Sequence, residues 1–301
     1  MTVKSFGMGK KDIIAVSGDS TGHIFSVTGE VTGEVMYMNE VLSQVLEKNA
    51  DENNYYIIEK KGQIYEKIIF VDKVSGLDSF EKALEICKNI TVKEIYMGNL
   101  KSGEIYRYNK TSAVIMASGL SKRMGENKLF MNFQGEPMLR KTLKTISSIP
   151  FYEIILIGKD EETRNLGEKY KMRYVQNNRS YLGQSESVKL GVLESSGDGI
   201  VFFTGDQPLL SKEAVLILFW EFHKKKIITL PLTQGQRSSP VFFPKYKKSE
   251  LLKLEGDTGG RKVIRESSKI NEVFFENSFL FKDVDSLEDL EEINEKMQGY
   301  N

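Results

Sequence analysis

One stretch of the sequence decides the fold: AVIMASGLSKRMGENK at residues 113–128. Its first four residues are apolar, and Ser118 and Gly119 then end the run, which predicts a buried strand that opens into a loop. Helices predicted near 137–149, 185–194 and 212–223 alternate with three similar runs, which are IILI at 154–157, IVFF at 200–203 and IITL at 227–230. This alternation predicts an α/β domain with a mostly parallel sheet that helices cover on both faces. The loops after Met116 and Phe203 are the expected ligand sites, because ligands bind beyond the carboxyl ends of such strands.

The residues before this domain are less regular. Strands are predicted at 13–16, 56–58, 68–71 and 94–97, and helices at 42–48 and 79–88. These elements predict a small accessory domain of the α/β or α+β class over residues 1–110, ahead of a second domain over 111–301. The segment GDSTGH at 18–23 follows a predicted strand. It lacks the Gly-Lys-(Ser/Thr) ending of a P-loop, so a plain turn is expected there.

The composition excludes several classes of protein. Forty-two basic and 42 acidic side chains give a net charge of zero, so neither a nucleic-acid-binding nor a membrane-binding basic surface is expected. With one cysteine, Cys87, and two histidines, a metal site would use oxygen ligands, which favours Mg²⁺. No signal peptide and no membrane-spanning run is apparent, which predicts a cytoplasmic protein. His223, beside three lysines, is expected at a solvated helix end.

The loop at residues 117–128 has the residue types that bind phosphate. Gly119 and Gly125 let backbone N–H groups approach an anion closely. Arg123 can grip terminal phosphates with its planar guanidinium, and Lys128 offers a compact charge. The alternative is a surface turn with solvated basic side chains. Asp206, between Gly205 and Pro208 after a buried strand, is the expected metal carboxylate, unless it only caps the helix that starts near Ser211.

This loop resembles the signature of the MobA-like nucleotidyltransferase family, Leu-Ala-(Ala/Gly)-Gly-x-Ser-x-Arg-Met-Gly-x-x-Lys. Later motifs of the family follow in the same order, namely GQSESV at 183–188, GDQP at 205–208, SPVFFP at 239–244, LEGDTGGR at 254–261 and DVDSLEDL at 283–290. The resemblance covers about residues 111–296 and is closest to the molybdenum cofactor cytidylyltransferases. It implies a Rossmann-like nucleotidyltransferase domain that transfers CMP from CTP to a molybdopterin-type cofactor, with Mg²⁺, and releases pyrophosphate.

The resemblance also implies roles for individual residues. Lys128, Arg123 and Asp206 are the expected catalytic residues, and Asp206 and Asp285 the expected metal ligands. Asp257 and Arg261 are expected to bind the acceptor, unless they form a structural ion pair. Asp283 and Asp285 could contact the metal, or Asp285 or Ser286 could instead simply cap the last helix. The expected nucleotide-binding residues are Ala117, Ser118, Gly119, Ser121, Arg123, Gly125, Lys128, Ser185, Ser187 and Asp206.

One departure from the family pattern leaves the nucleotide open. Ser118 stands where the cytidylyltransferases have Ala and the guanylyltransferases have Gly, near the expected position of the base. Transfer of GMP to the same cofactor, or of a nucleotide to a sugar or alditol phosphate, is therefore an alternative. A non-catalytic carrier of molybdenum cofactor for a molybdenum hydroxylase is the alternative from another class. The retention of Arg123, Lys128 and Asp206 favours the enzyme.

Overall fold

The chain divides into two units, Met1–Tyr108 and Asn109–Asn301. A computed structural model describes thirteen stretches of the chain, which are residues 4–8, 11–17, 31–32, 54–61, 64–72, 80–81, 84–85, 94–99, 104–107, 109–119, 127–286, 288–289 and 291–293. The predicted helix at 42–48, the GDSTGH segment and Cys87 lie outside these residues. So do Ser121, Arg123 and Gly125 of the predicted phosphate loop.

The first unit contains a seven-stranded sheet. Its strands are β1 (Lys4–Met8), β2 (Lys11–Ser17), β3 (Val31–Thr32), β4 (Asn54–Lys61), β5 (Ile64–Asp72), β6 (Glu94–Asn99) and β7 (Glu104–Arg107). They pair in the order β3-β1-β2-β4-β5-β6-β7, and only β5 and β6 are parallel. The four strands predicted from the sequence fall within β2, β4, β5 and β6, and helical residues at 80–81 and 84–85 lie within the helix predicted at 79–88.

The second unit is built on an eight-stranded sheet with helices. The strands are β8 (Thr111–Met116), β9 (Asn132–Phe133), β10 (Glu136–Pro137), β11 (Glu153–Gly158), β12 (Arg173–Gln176), β13 (Gly199–Thr204), β14 (Ile228–Thr233), β15 (Gln236–Arg237), β16 (Val241–Pro244) and β17 (Ile270–Phe274), of which β9 and β10 form a separate hairpin. The helices are α1 (Met138–Ser147), α2 (Glu161–Lys169), α3 (Gln184–Glu194), α4 (Lys212–Lys225), α5 (Lys248–Leu251) and α6 (Arg261–Arg265).

The large sheet is mixed but mostly parallel. Its order is β12-β11-β8-β13-β16-β14-β15, and β17 also pairs with β14. β8 is parallel to β11 and β13, β11 to β12, and β14 to β17, whereas β16 is antiparallel to both of its neighbours. The four predicted strands are confirmed as β8, β11, β13 and β14. The sequence did not predict β12, β16 and β17, and β16 separates β13 from β14.

The core explains why these runs form central strands. Ala113, Val114 and Ile115 of β8 are fully buried, because neighbouring strands and helices cover both faces of the strand. Helix α4 places Phe219 and Phe222 against Phe242 of β16, with ring centroids 5.6 and 5.3 Å apart. These aromatic contacts fix the helix on the inserted strand. Among the helices that the structure describes, none is both long and apolar enough to cross a membrane.

His223 does not lie at a solvated helix end, and that prediction is wrong. Its side chain is buried against the Phe219 ring, at a centroid distance of 4.7 Å. The imidazole Nε2 accepts a hydrogen bond from the Asn109 N–H at 3.1 Å, and Nδ1 lies 3.1 Å from the carbonyl oxygen of Phe219. These contacts define a neutral ring that donates from Nδ1. Burial lowers the pKa of His223 from 6.5 to about 4.

The buried neutral histidine predicts a pH-dependent stability. Below about pH 6.5 the unfolded chain binds a proton at His223, whereas the folded chain binds one only near pH 4. The stability that the neutral ring contributes to the folded state is therefore complete above about pH 6.5 and is lost as the pH falls toward 4. We expect the free energy of unfolding of the wild type to fall about 1–2 kcal/mol more between pH 7 and pH 5 than that of His223→Gln. Urea titrations followed by the fluorescence of Trp220, the single tryptophan, measure this difference. Equal falls in both proteins would contradict the assignment.

Candidate functional site

The polar residues of the site follow the carboxyl ends of parallel strands. β8 ends before Ala117, β11 before Lys159, β12 before Asn177 and β13 before Gly205. Parallel strands leave the sheet at the same edge, so these four turns lie together. Ala117 is buried and its N–H donates to Ile157 O at 2.8 Å, which fixes the start of the predicted phosphate loop on the neighbouring strand.

Lys128 forms the charged centre of this edge. Its Nζ lies 2.6 Å from Asp206 Oδ2 and 2.7 Å from Asp285 Oδ1. The side chains of Lys128 and Asp206 are only 16% and 14% exposed, so solvent screens this pair weakly. Burial lowers the pKa of Lys128, but the charges and hydrogen bonds of the two aspartates outweigh it and hold the pKa above its ordinary value. The ammonium is therefore charged at neutral pH.

An extended segment brings a third carboxyl group to the centre. The Val284 N–H donates to Asp206 O at 3.0 Å, and the Val284 side chain is buried. Alternate residues of an extended chain face opposite sides, so Asp283 and Asp285 face the site. Burial and the neighbouring Asp206 raise the pKa of Asp283 to about 7, although Thr204 Oγ1 donates to its Oδ1 at 3.2 Å. From the sequence, Asp283 is a candidate for metal contact only together with Asp285, and the alternation Asp-Val-Asp is the signal that places both on one side.

The donor set fits a divalent metal held partly by the protein. The Oδ1 atom of Asp206 is buried and has no hydrogen-bond partner, so it is available as a ligand. No three His, Cys, Asp or Glu residues within the described part of the chain form a complete metal cage. Mg²⁺ commonly takes one or two carboxylates and completes its shell with water and phosphate oxygens. Asp206 and Asp285 suit that kind of site.

The capping alternatives for the aspartates are wrong. Ser211 Oγ accepts from Ala214 N at 3.1 Å and caps α4, so Asp206 does not. Ser286 Oγ accepts from Asp289 N at 3.2 Å, while the Asp289 carboxylate accepts from the backbone N–H groups of residues 285 and 286. Ser286 therefore caps the last described helical residues, and the Asp285 carboxylate contacts Lys128 instead.

A buried hydrogen-bonded cluster joins Ser118 to the start of α3. Ser118 Oγ and Ser187 Oγ are 2.7 Å apart, and Asn177 Nδ2 donates to them at 3.0 and 3.1 Å. Arg179 N–H donates to Asn177 Oδ1 at 3.0 Å, which fixes the orientation of the amide. Ser185 Oγ is buried without a partner. The structure thus brings two predicted nucleotide-binding serines together. Asn177 was not predicted as a site residue, because β12, which it follows, has no clear apolar run in the sequence.

Of the two predicted acceptor residues, Asp257 contacts the start of the same helix. Gln184 N–H donates to Asp257 Oδ1 at 3.2 Å, and Ser185 N–H donates to Gly256 O at 3.2 Å. Asp257 therefore contacts the backbone at the start of α3 rather than Arg261, which is exposed at the start of α6. Gly183 has φ +106°, and a Cβ there would lie 2.5 Å from the backbone of Gly256. Only glycine allows the two loops to approach so closely.

This contact predicts that Gly183→Ala displaces the loop that carries Asp257. Gly235→Ala is the matched control, because Gly235 also has positive φ, +76°, but has open space around its Cβ position. A side chain at Gly235 strains the backbone by about 1–2 kcal/mol. Gly183, at φ +106° and ψ −178°, lies in a region that essentially only glycine occupies, where the strain is about 1–3 kcal/mol. We expect Gly183→Ala to lower the free energy of unfolding by a further 1–3 kcal/mol or so, because of the backbone clash. Urea denaturation of the two variants measures this, and equal losses would contradict it.

The second unit has the α/β fold of solved nucleotidyltransferases, with a mostly parallel mixed sheet. The structure resembles the crystal structure of Rv0371c from Mycobacterium tuberculosis H37Rv in complex with manganese. The TM-score is 0.54 at 20% identity, and the match covers 62% of this chain and 98% of that one. At that identity the likeness concerns the fold alone.

The chain belongs to the family of the MobA-like NTP transferase domain, whose model matches residues 113–271. It is 28% identical over 137 residues to a "Probable molybdenum cofactor guanylyltransferase" of Natranaerobius thermophilus. That match covers 44% of this chain and 65% of that protein. It is also 30% identical over 164 residues to the "Purine catabolism protein PucB" of Bacillus subtilis, covering 50% of this chain and 79% of that protein. These relatives leave the nucleotide undetermined.

Proposed function

We propose that this chain transfers CMP from CTP to a molybdopterin-type molybdenum cofactor, with Mg²⁺, and releases pyrophosphate. The observation that supports this most is the charged centre of Lys128, Asp206 and Asp285 at the carboxyl edge of the sheet. It combines a cation for phosphate with carboxylates for a metal. Lys128 also directly follows the glycine-containing loop in the sequence, and backbone N–H groups, a cation and carboxylates together suit a metal–triphosphate complex.

The reaction needs positioning and charge neutralisation rather than a protein nucleophile. A phosphate oxygen of the acceptor forms a bond to the α-phosphorus, the bond from that phosphorus to the bridging oxygen breaks, and pyrophosphate leaves. Lys128 would turn from the carboxylates to the α-phosphate and offset its developing charge, while Arg123 would hold the leaving pyrophosphate. Asp206 and Asp285 would hold Mg²⁺, which supplies further neutralisation of the phosphates.

The hydroxyl cluster has the capacity to contact the nucleotide. Asn177 Nδ2 and the two serine hydroxyls carry four hydrogens, and three of them are used in the bonds within the cluster. One hydroxyl hydrogen of Ser118 or Ser187 is left to donate to the substrate. The unpartnered Ser185 hydroxyl provides a second donor at the start of α3. Ala117, Gly119, Ser121 and Gly125 would supply the backbone of the phosphate loop, and Asp257 and Arg261 would bind the acceptor.

Transfer of GMP is the second candidate, because a relative named as a guanylyltransferase matches the chain. The two are separated by measuring pyrophosphate release with each of the four nucleoside triphosphates, with and without molybdopterin cofactor. We expect release with CTP that depends on the cofactor. If GTP is the one nucleotide that supports release in the presence of the cofactor, GMP replaces CMP in the proposal. If pyrophosphate is released only when a sugar or alditol phosphate is added, that compound replaces the cofactor as the proposed acceptor. If no acceptor supports release, the non-catalytic carrier is favoured.

Asp206→Asn tests the metal role. The substitution keeps the shape of the side chain but removes the charge that would hold the metal, so we expect the rate of transfer to fall about 10²–10³-fold. Asp198→Asn is the control, because Asp198 is an exposed acidic residue whose nearest ion-pair distance, to Lys245, is 3.8 Å. Initial rates at saturating Mg²⁺ measure the effect. Turnover of Asp206→Asn close to the wild-type rate would remove Asp206 as the main metal ligand.

Ser118 variants test the choice of nucleotide. Ser118→Ala should sharpen the preference for CTP, and Ser118→Gly should shift it toward GTP, because the residue at this strand end sets how closely a base can approach the backbone. The measurement is the ratio of kcat/KM for CTP to that for GTP in the three proteins. Ser195→Ala is a control outside the cluster, since the Ser195 hydroxyl donates to Val192 O at the end of α3. A constant ratio across the Ser118 series would show that this position does not select the base.

A further inference from the structure

Two neighbouring residues of one turn hold both ends of the predicted phosphate loop. Lys159 Nζ donates to Gly119 O at 2.7 Å, just before residues 120–126. Asn127 Nδ2 donates to Asp160 Oδ2 at 3.3 Å, just after them. Lys159 and Asp160 connect β11 to α2. The turn between β11 and α2 therefore contacts the residues on either side of 120–126, which form the middle of the predicted phosphate loop.

This turn is itself fixed in place. Gln176 Nε2 donates to Lys159 O at 2.7 Å, and Tyr174 Oη lies 3.2 Å from Asp160 O. Asp160 Oδ1 accepts from Thr163 N at 2.8 Å and so caps α2. The parallel pairing of β11 with β12 places Tyr174 and Gln176 beside the turn. The backbone of residues 159–160 and the Asp160 carboxylate are thus held in place by contacts that do not involve the loop.

We propose that Lys159 and Asp160 are positioning residues for nucleotide binding. They set the separation between Gly119 and Asn127, so the two ends of the loop are in place before the triphosphate arrives, and less freedom is lost on binding. Asp160 also helps to position Lys128. Its partner Asn127 directly precedes Lys128 and caps the 3-10 turn Lys128–Phe130. Neither residue contacts the reacting atoms in this role. The inference rests on the proposed function, since it takes the loop to be the phosphate-binding element.

The test uses two substitutions in the full chain that each remove one end contact. Lys159→Met keeps the length of the side chain without the ammonium. Asp160→Asn keeps an oxygen that can cap α2 but presents an NH₂ group toward the Asn127 amide, so only the loop contact is lost. Lys144→Met is the control, because Lys144 is an exposed lysine on α1. Lys159→Arg restores a cationic donor.

The measurement is the Kd of CTP and of GTP with Mg²⁺, by titration calorimetry without acceptor, together with the urea midpoint of each protein. We expect Lys159→Met and Asp160→Asn to raise the Kd about tenfold, because the loop end that each variant releases must then be ordered when the nucleotide binds. The urea midpoints should stay at the wild-type value, Lys159→Arg should restore the Kd, and Lys144→Met should leave it unchanged. With acceptor present, KM for the nucleotide should rise more than kcat falls.

The outcomes distinguish the positioning role of Lys159 and Asp160 from the proposed transferase function. Wild-type Kd values in both variants would overturn it even if transfer is observed. Weaker binding that accompanies a lower urea midpoint and is not restored by Lys159→Arg would assign a structural role only, and would also overturn it. Weaker binding with an unchanged midpoint supports it even if no acceptor is ever found, in which case only the transferase function fails. A wild-type protein that binds neither CTP nor GTP would overturn both.

Discussion

The parallel pairing of β8 with β11 and β13 is the constraint on which the rest of the second unit depends. Parallel strands leave a sheet at one edge, so the turns that follow these three strands lie side by side whatever polar residues they carry. The pairing is stabilised by burial, because Val114, Ile155 and Val201 are fully buried. Lys128 and Asp206, 78 residues apart in the sequence, are brought within 2.6 Å of each other on this frame.

The charges at this edge support the proposal that it binds a metal and a phosphate together. Removing the Lys128 ammonium from water is costly, and the two carboxylates of Asp206 and Asp285 offset that cost. Asp283 adds a third carboxyl group beside Asp206, and the resulting repulsion, together with burial, raises its pKa to about 7. Within this described cluster, the three carboxyl groups outnumber the Lys128 ammonium. A divalent ion would relieve the repulsion between them, and the lysine would then be released to a phosphate group.

Three sequence motifs that are far apart along the chain form one packed unit around the start of α3. Asp257 and Gly256 contact the first backbone N–H groups of the helix, and Gly183 permits that contact because it has no side chain. Gly260 lies against Phe243, whose ring a Cβ at position 260 would meet at 2.8 Å. The glycines of these motifs therefore serve packing. Asp257 has a structural contact in addition to any role it has with the acceptor.

The sequence alone determined the strands β8, β11, β13 and β14 and the order of the motifs, because short apolar runs and glycine turns are local signals. Site roles were also predicted for Lys128, Asp206 and Asp285, since each lies in a motif of the family, and the structure brings these three side chains together. The antiparallel insertion of β16, the burial of His223 and the pairing of Asn177 with two serines were decided only by the tertiary structure. The same is true of the contacts of the 159–160 turn with the loop ends. Each depends on residues that are distant in sequence, and their approach is set by how strands pair and helices pack rather than by any local pattern.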